Sequence, residues 1–174
     1  MKIEHERALW TASVGQQNRL LKLDTPLGPD LLIPQRVIGR DRLGRGFNFT
    51  IDAIAMRDDV VLKKLIAKQV TLWLRQSDST YLPVHGFVHT VKRLGSEGRF
   101  TFCQLSISAW SHFLKFRSDS CIWQEKRVDD ILIDVFNHHP QARGNYRFDL
   151  TQVAVVRSYC TQYETDWNFG NYSA

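Results

Sequence analysis

Residues 46–55, GFNFTIDAIA, constrain the fold more than any other stretch. Successive strand side chains point to opposite faces, so Phe47, Phe49, Ile51, Ala53 and Ala55 share one face. Asn48, Thr50 and Asp52 take the other. Period-two sorting of this kind predicts a strand with one dry face and one wet face.

The neighbouring segments extend the pattern. Leu21 and Leu23 alternate with charge, TPLGPD is a turn, and a strand resumes over Leu31–Ile38. Pro34 places that strand at an edge or at its own start, because proline gives the ladder no donor. Behind Asp58 and Asp59 the apolar spacing turns helical, which predicts a short helix over 59–66 with an aspartate cap. VTLWL then returns to period two. Residues 81–94 and 99–107 read as a hairpin turning at GSEG. Residues 108–116 read as a second short helix. Val128, Ile131, Leu132, Val135 and Phe136 form one stripe of a helix over 127–138, with Asp129 and Asp130 in its first turn and Pro140 after its end. One or two strands are expected within 146–163. The fold class is mainly β with some α, an α+β arrangement.

A chain of 174 residues can bury a core without covalent staples. The formal charge of +5 permits an acidic partner without requiring one. Cys103, Cys121 and Cys160 are odd in number and widely spaced, which argues against a disulfide framework or a zinc knuckle. No apolar run is long enough to cross a membrane as a helix. MKIEHERALW lacks the basic start and greasy core of a signal peptide, so export without a cleaved signal is expected. No nucleophile elbow, phosphate loop or dinucleotide fingerprint is present, and no cofactor or metal is expected.

Two local patterns suggest chemistry, and the residues weigh against both. RGFNF, from Arg45 to Phe49, begins like the signature strand of an RNA-recognition domain, on which bases stack on exposed rings. Asp52 would set a negative charge beside the phosphates, and TPLGPD with Pro34 leaves no room for the helix that domain needs after its first strand. His85 and His89 have the spacing of a helical metal pair. On a strand they stand about 13 Å apart, too far to share one ion. They are expected to share a face with Phe87 and Val91. A basic small barrel that binds nucleic acid remains the alternative reading, because Arg36, Arg40, Arg42 and Arg45 crowd one segment.

An ordered set of longer stretches is familiar. LLIPQRVIGRDRLGRGFNFTIDAIA leads into VVLKKLIAKQVTLWL, then HGFVHTVKRLG, then FRSDSCIWQ (116–124) with its following helix, and last Gln162–Asp166. Together they resemble the N-terminal region of VgrG proteins, the spike tips of the type VI secretion system, which is similar to the hub of contractile phage tails. The resemblance runs from about Leu20 to Phe169.

It implies a tube-forming, barrel-like hub domain over 1–124 and the helix and strands of a second, truncated α/β domain over 125–174. It implies a structural, non-enzymatic role and a homotrimer that docks on the ring of an Hcp-like tube protein. Effectors or baseplate proteins are possible further partners. Assembly would take place in the bacterial cytoplasm, with export by the secretion machine itself. GNYSA is expected to cut short the family's helix beyond Phe169, leaving out the needle. For contacts with neighbouring proteins the sequence nominates Arg36, Arg40, Arg42, Arg45, Ser96 and Glu97; for the core it nominates Phe47, Phe49, Ile51, Ile131 and Val135.

Overall fold

A computed structural model describes residues 15–16, 19–42, 46–57 and 59–173. The chain forms two compact units, Met1–Ala109 and Trp110–Ala174. The boundary expected between residues 124 and 125 falls inside a strand of the second unit, Cys121–Arg127. That strand pairs with Val156–Gln162, far along the chain, and the turn Trp110–Phe116 ahead of it contacts the helix Asp166–Ser173 of the same unit.

Six strands make the first unit: β1 (Leu21–Asp24), β2 (Leu32–Arg42), β3 (Gly46–Ala55), β4 (Gln69–Arg75), β5 (Tyr81–Glu97) and β6 (Phe100–Ser108). They form one antiparallel sheet in the order β1-β4-β5-β6-β3-β2. β1 and β2 end that order, yet they lie in contact without pairing, so the sheet curls into an incompletely closed barrel. Its core holds Leu23, Leu32, Ile51, Leu72, Val88 and Leu105, all buried.

Pro34 lies on the edge strand β2, where the register with β3 shifts between Pro34 and Arg36. An edge and a bulge are where a residue without an N–H can sit in a sheet. The expected helix over 59–66 shrinks to a 3-10 turn, Leu62–Leu65, that has no side-chain cap. Asp59 is instead drawn to Arg57, whose Nη2 donates at 2.6 Å; Asp58 lies outside the described residues. After that turn, Ala67 N–H donates to the Val88 carbonyl and Val88 N–H to the Lys68 carbonyl. The same region carries a bulge between Val88 and Thr90. Bulges bend a strand, which suits a curled sheet. The hairpin turns at Gly98–Arg99, later than GSEG suggested, with Gly98 at φ +56. Glycine takes that conformation without strain.

The second unit opens with a 3-10 turn, Trp110–Phe116. β7 (Cys121–Arg127) and β8 (Val156–Gln162) form an antiparallel ribbon. Between them lies α1, Val128–Asn137, whose Ile131, Leu132 and Val135 are buried with Phe169 of α2, Asp166–Ser173. The rings of Trp123 and Phe169 stack at 5.4 Å. This last helix includes Gly170 and runs to Ser173, inside GNYSA.

Ile131 is 2% exposed, so Ile131→Asp would bury an uncompensated charge, at a cost of several kcal/mol. The expected result is loss of cooperative unfolding for the second unit. Thermal unfolding identical to the unaltered chain, followed by near-UV circular dichroism, would contradict this packing.

Candidate functional site

Phe47 and Phe49 face the core side of β3 and are half-buried against the cluster that contains Ile51. Glycines on β2 and on β5, two strands away, make room for both rings. Gly39 is the cross-strand partner of Phe49, and a Cβ placed on it would stand 1.8 Å from Cδ1 of that ring. A Cβ on Gly86 of β5 would stand 3.2 Å from Cε2 of Phe47. Each ring thus covers a glycine and shields its bare backbone from water, Phe49 directly across from Gly39. The ring centroids are 5.6 Å apart and tilted at 44°. Rings packed in this way offer no flat open platform for bases.

The other face of the same strands is polar. Arg36, Asp52 and Gln104 lie opposite one another across β2, β3 and β6. Arg36 Nε donates to one carboxylate oxygen of Asp52 and Gln104 Nε2 to the other, each at 2.8 Å. The Gln104 amide, and then Arg36, hold the Asp52 carboxyl below its ordinary range. Arg36, Ile38, Arg40 and Arg42 pair with Asp52, Thr50, Asn48 and Gly46, so the three arginines share one face of an edge strand. Arg40 and Arg42 are exposed, and among the described residues no ion pair holds either. Arg45 lies outside the described residues.

The nominated contact residues lie at two places on the sheet. Ser96 and Glu97 are exposed at the end of β5, in the row Ser96–Thr101–Ala55–Leu32. Arg42 pairs with Gly46 at the opposite end of β3, about 30 Å away along the strand. Two separate patches result.

Among the described residues, a deeply buried polar cluster lies in the second unit, and no sequence signal singles it out as a site. Asp166 is 0% exposed. Arg117 Nη1 reaches its two oxygens at 3.1 and 3.0 Å, and Gln162 Nε2 donates at 2.6 Å. His139 Nε2 stands 2.6 Å from Oδ2, which requires the proton on Nε2. Backbone pairing sets these side chains in place. Asp166 N–H donates to the Arg117 carbonyl at 3.0 Å, and Ser118 bridges Thr165. Arg117 Nη2 also pairs with Asp119. The Cys121 thiol, and then Ser120 N–H and Arg117, keep the Asp119 carboxyl below its usual range. Burial, and then Asp119, push the Cys121 thiol up. The runs FRSDSCIWQ and Gln162–Asp166, which stood out in the sequence, meet at this one carboxylate.

The remaining candidates separate. His85 Nδ1 lies 2.9 Å from Thr71 Oγ1, and His89 sits at the Val88/Thr90 bulge, 2.9 Å from Thr90 Oγ1. The bulge resets the alternation, so Val91 packs on the core rather than beside His85 and Phe87. Burial and the nearby Asp52 push the Cys103 thiol up to about 11, which keeps it protonated and unreactive. Among the described residues no group of three His, Cys, Asp or Glu side chains is placed to hold a metal ion. Among the same residues no helix is long and apolar enough to cross a membrane.

A family model described as phage tail baseplate hub (GPD) matches residues 40–171, which include strands of the first unit and most of the second. The chain belongs to this family. The type VI secretion system spike protein VgrG1b of Pseudomonas aeruginosa is 32% identical over 163 residues, spanning 90% of this chain and 21% of its own. VgrG1a of the same organism is 31% identical over 155 residues, spanning 88% of this chain and 24% of its own. The chain thus covers less than a quarter of either relative's length. Among solved structures, the E. coli c3393 protein is similar with a TM-score of 0.69 at 19% identity, over 87% of this chain and 41% of that one. That protein is described as a component of the type VI secretion system, structurally similar to the T4 bacteriophage tail proteins gp27 and gp5. The shared fold is mainly β and hub-like, with a few helices.

Proposed function

We propose that this chain is a structural piece of a type VI secretion spike, the hub segment that sits between a tube and the rest of the tip. The supporting observation is the hub-family match over residues 40–171, on a curled sheet whose rings face inward. The chain acts by assembly rather than by catalysis. It associates with copies of itself as a trimer and presents an end surface to the ring of an Hcp-like tube protein. Effectors or baseplate proteins dock elsewhere on the tip. Assembly takes place in the cytoplasm, and the machine itself exports the product. A basic barrel that grips nucleic acid is disfavoured by the half-buried placement of Phe47 and Phe49.

Lateral contacts fall to the free edge of β2, where Arg40 and Arg42 stand exposed, and to the hairpin end at Ser96 and Glu97. An unpaired edge strand is a ready template for another chain. Reversing both charges, Arg40→Glu with Arg42→Glu, is expected to weaken self-association about tenfold, the effect of losing about 1.4 kcal/mol. Sedimentation equilibrium at fixed ionic strength measures this. Equal association constants for the two proteins would remove the edge from the interface, and a monomer throughout the accessible range would remove self-association.

A further inference from the structure

A cleft of about 340 Å³ opens in the second unit, walled by Asp119, Trp123, Asp134, His138 and Gln162 among others. Gln162 is 1% exposed. Its amide nitrogen is committed to Asp166 at 2.6 Å and to the Glu164 carbonyl at 3.1 Å, which fixes the orientation of the amide. Its oxygen, Oε1, is buried and has no donor among the described residues. A buried acceptor left without a donor costs about 1–3 kcal/mol. Asp134 supplies a second acceptor. Its Oδ2 takes bonds from Trp123 Nε1 at 3.2 Å and from Lys126 Nζ, and among the described residues no donor reaches Oδ1. Arg117, the one arginine in the wall, is already spent on Asp166 and Asp119. The wall therefore offers acceptors on two different elements, β8 and α1, beside an indole ring.

We propose that this cleft receives a guanidinium group. A planar cation with five donors can serve two acceptors on separate elements and can lie against an aromatic ring, and a bond to the second oxygen of Asp134 would be charge-assisted. The group can come from an arginine side chain of a partner protein or from a free small molecule, and both present the same chemistry. The inference stands apart from the assembly role proposed above, because it uses only the second unit.

The test is a titration of the full chain, following the Trp123 indole N–H and the Gln162 side-chain amide by NMR. Three ligands are compared: acetyl-Gly-Arg-Gly-amide, the same peptide with citrulline for arginine, and free arginine. Both resonances should shift saturably with the arginine peptide. Citrulline, which keeps the shape and loses the charge, should bind at least about tenfold more weakly, and Asp134→Asn should weaken the arginine peptide by a similar factor. The Ile131 methyl signal reports whether that variant keeps its core. Tighter binding of the peptide than of free arginine assigns the cleft to a partner protein; equal binding assigns it to a free guanidinium compound. No shift with either arginine ligand, or equal affinity for the citrulline peptide, overturns the proposal without reference to any variant.

Discussion

Asp166→Ala should destabilise the second unit by about 3–5 kcal/mol, enough to unfold it or leave it marginal. The loss comes from what the carboxylate leaves behind. Arg117, His139 and Gln162 all point donors at Asp166, which is 0% exposed. Without it, the Arg117 guanidinium and the Gln162 amide each lose one of two acceptors and His139 loses the acceptor at Nε2, and water cannot easily replace it. Removing one partner of such a cluster costs far more than the cluster contributes net. Asp166→Asn keeps the shape and one acceptor oxygen, so a smaller loss is expected. Denaturant unfolding followed by near-UV circular dichroism measures both. A loss below about 1 kcal/mol for the alanine variant would mean that the cluster is loosely held.

The second large effect lies in the first unit. Phe49→Ala should cost about 3 kcal/mol, at the lower end for an aromatic core residue because the ring is half-buried. Gly39→Ala should cost about 1–3 kcal/mol, since its Cβ would stand 1.8 Å from the Phe49 ring and drive it off its rotamer. The double variant discriminates. With the phenyl gone, the added methyl has nothing to strike, so the two losses should fall short of additivity by about 1 kcal/mol or more. Strict additivity would show that the ring does not rest on Gly39. A Phe49→Ala loss below about 1 kcal/mol would show that it does not rest on the core either.

What could be read from the sequence, and what could not, follows from the range of the interactions. The alternation in β3, the edge position of Pro34 and the apolar stripe of α1 are properties of short segments, and each was readable as such. The bulge at His89 was not. It lies where backbone bonds from Ala67 and Lys68 reach Val88, and nothing near His89 announces that. The helix expected over 59–66 shortened to Leu62–Leu65, with Asp59 bonding Arg57 instead of a helix end. The Asp166 cluster was half legible. Its two halves stood out as distinctive runs, but their meeting depends on the pairing of β7 with β8, a contact across some forty residues of chain. Contacts of the same long range place residues 110–124 in the second unit. Exposure and charge mark Arg42 and Glu97 alike in the sequence, and neither property reveals that the two sit at opposite ends of the sheet.

Native mass spectrometry of the chain mixed with a hexameric Hcp-like ring tests the assembly role most directly. A complex of fixed stoichiometry, three copies of this chain per ring, is the expected result. No complex with the ring, together with salt-dependent oligonucleotide binding that Phe47→Ala abolishes, would contradict it.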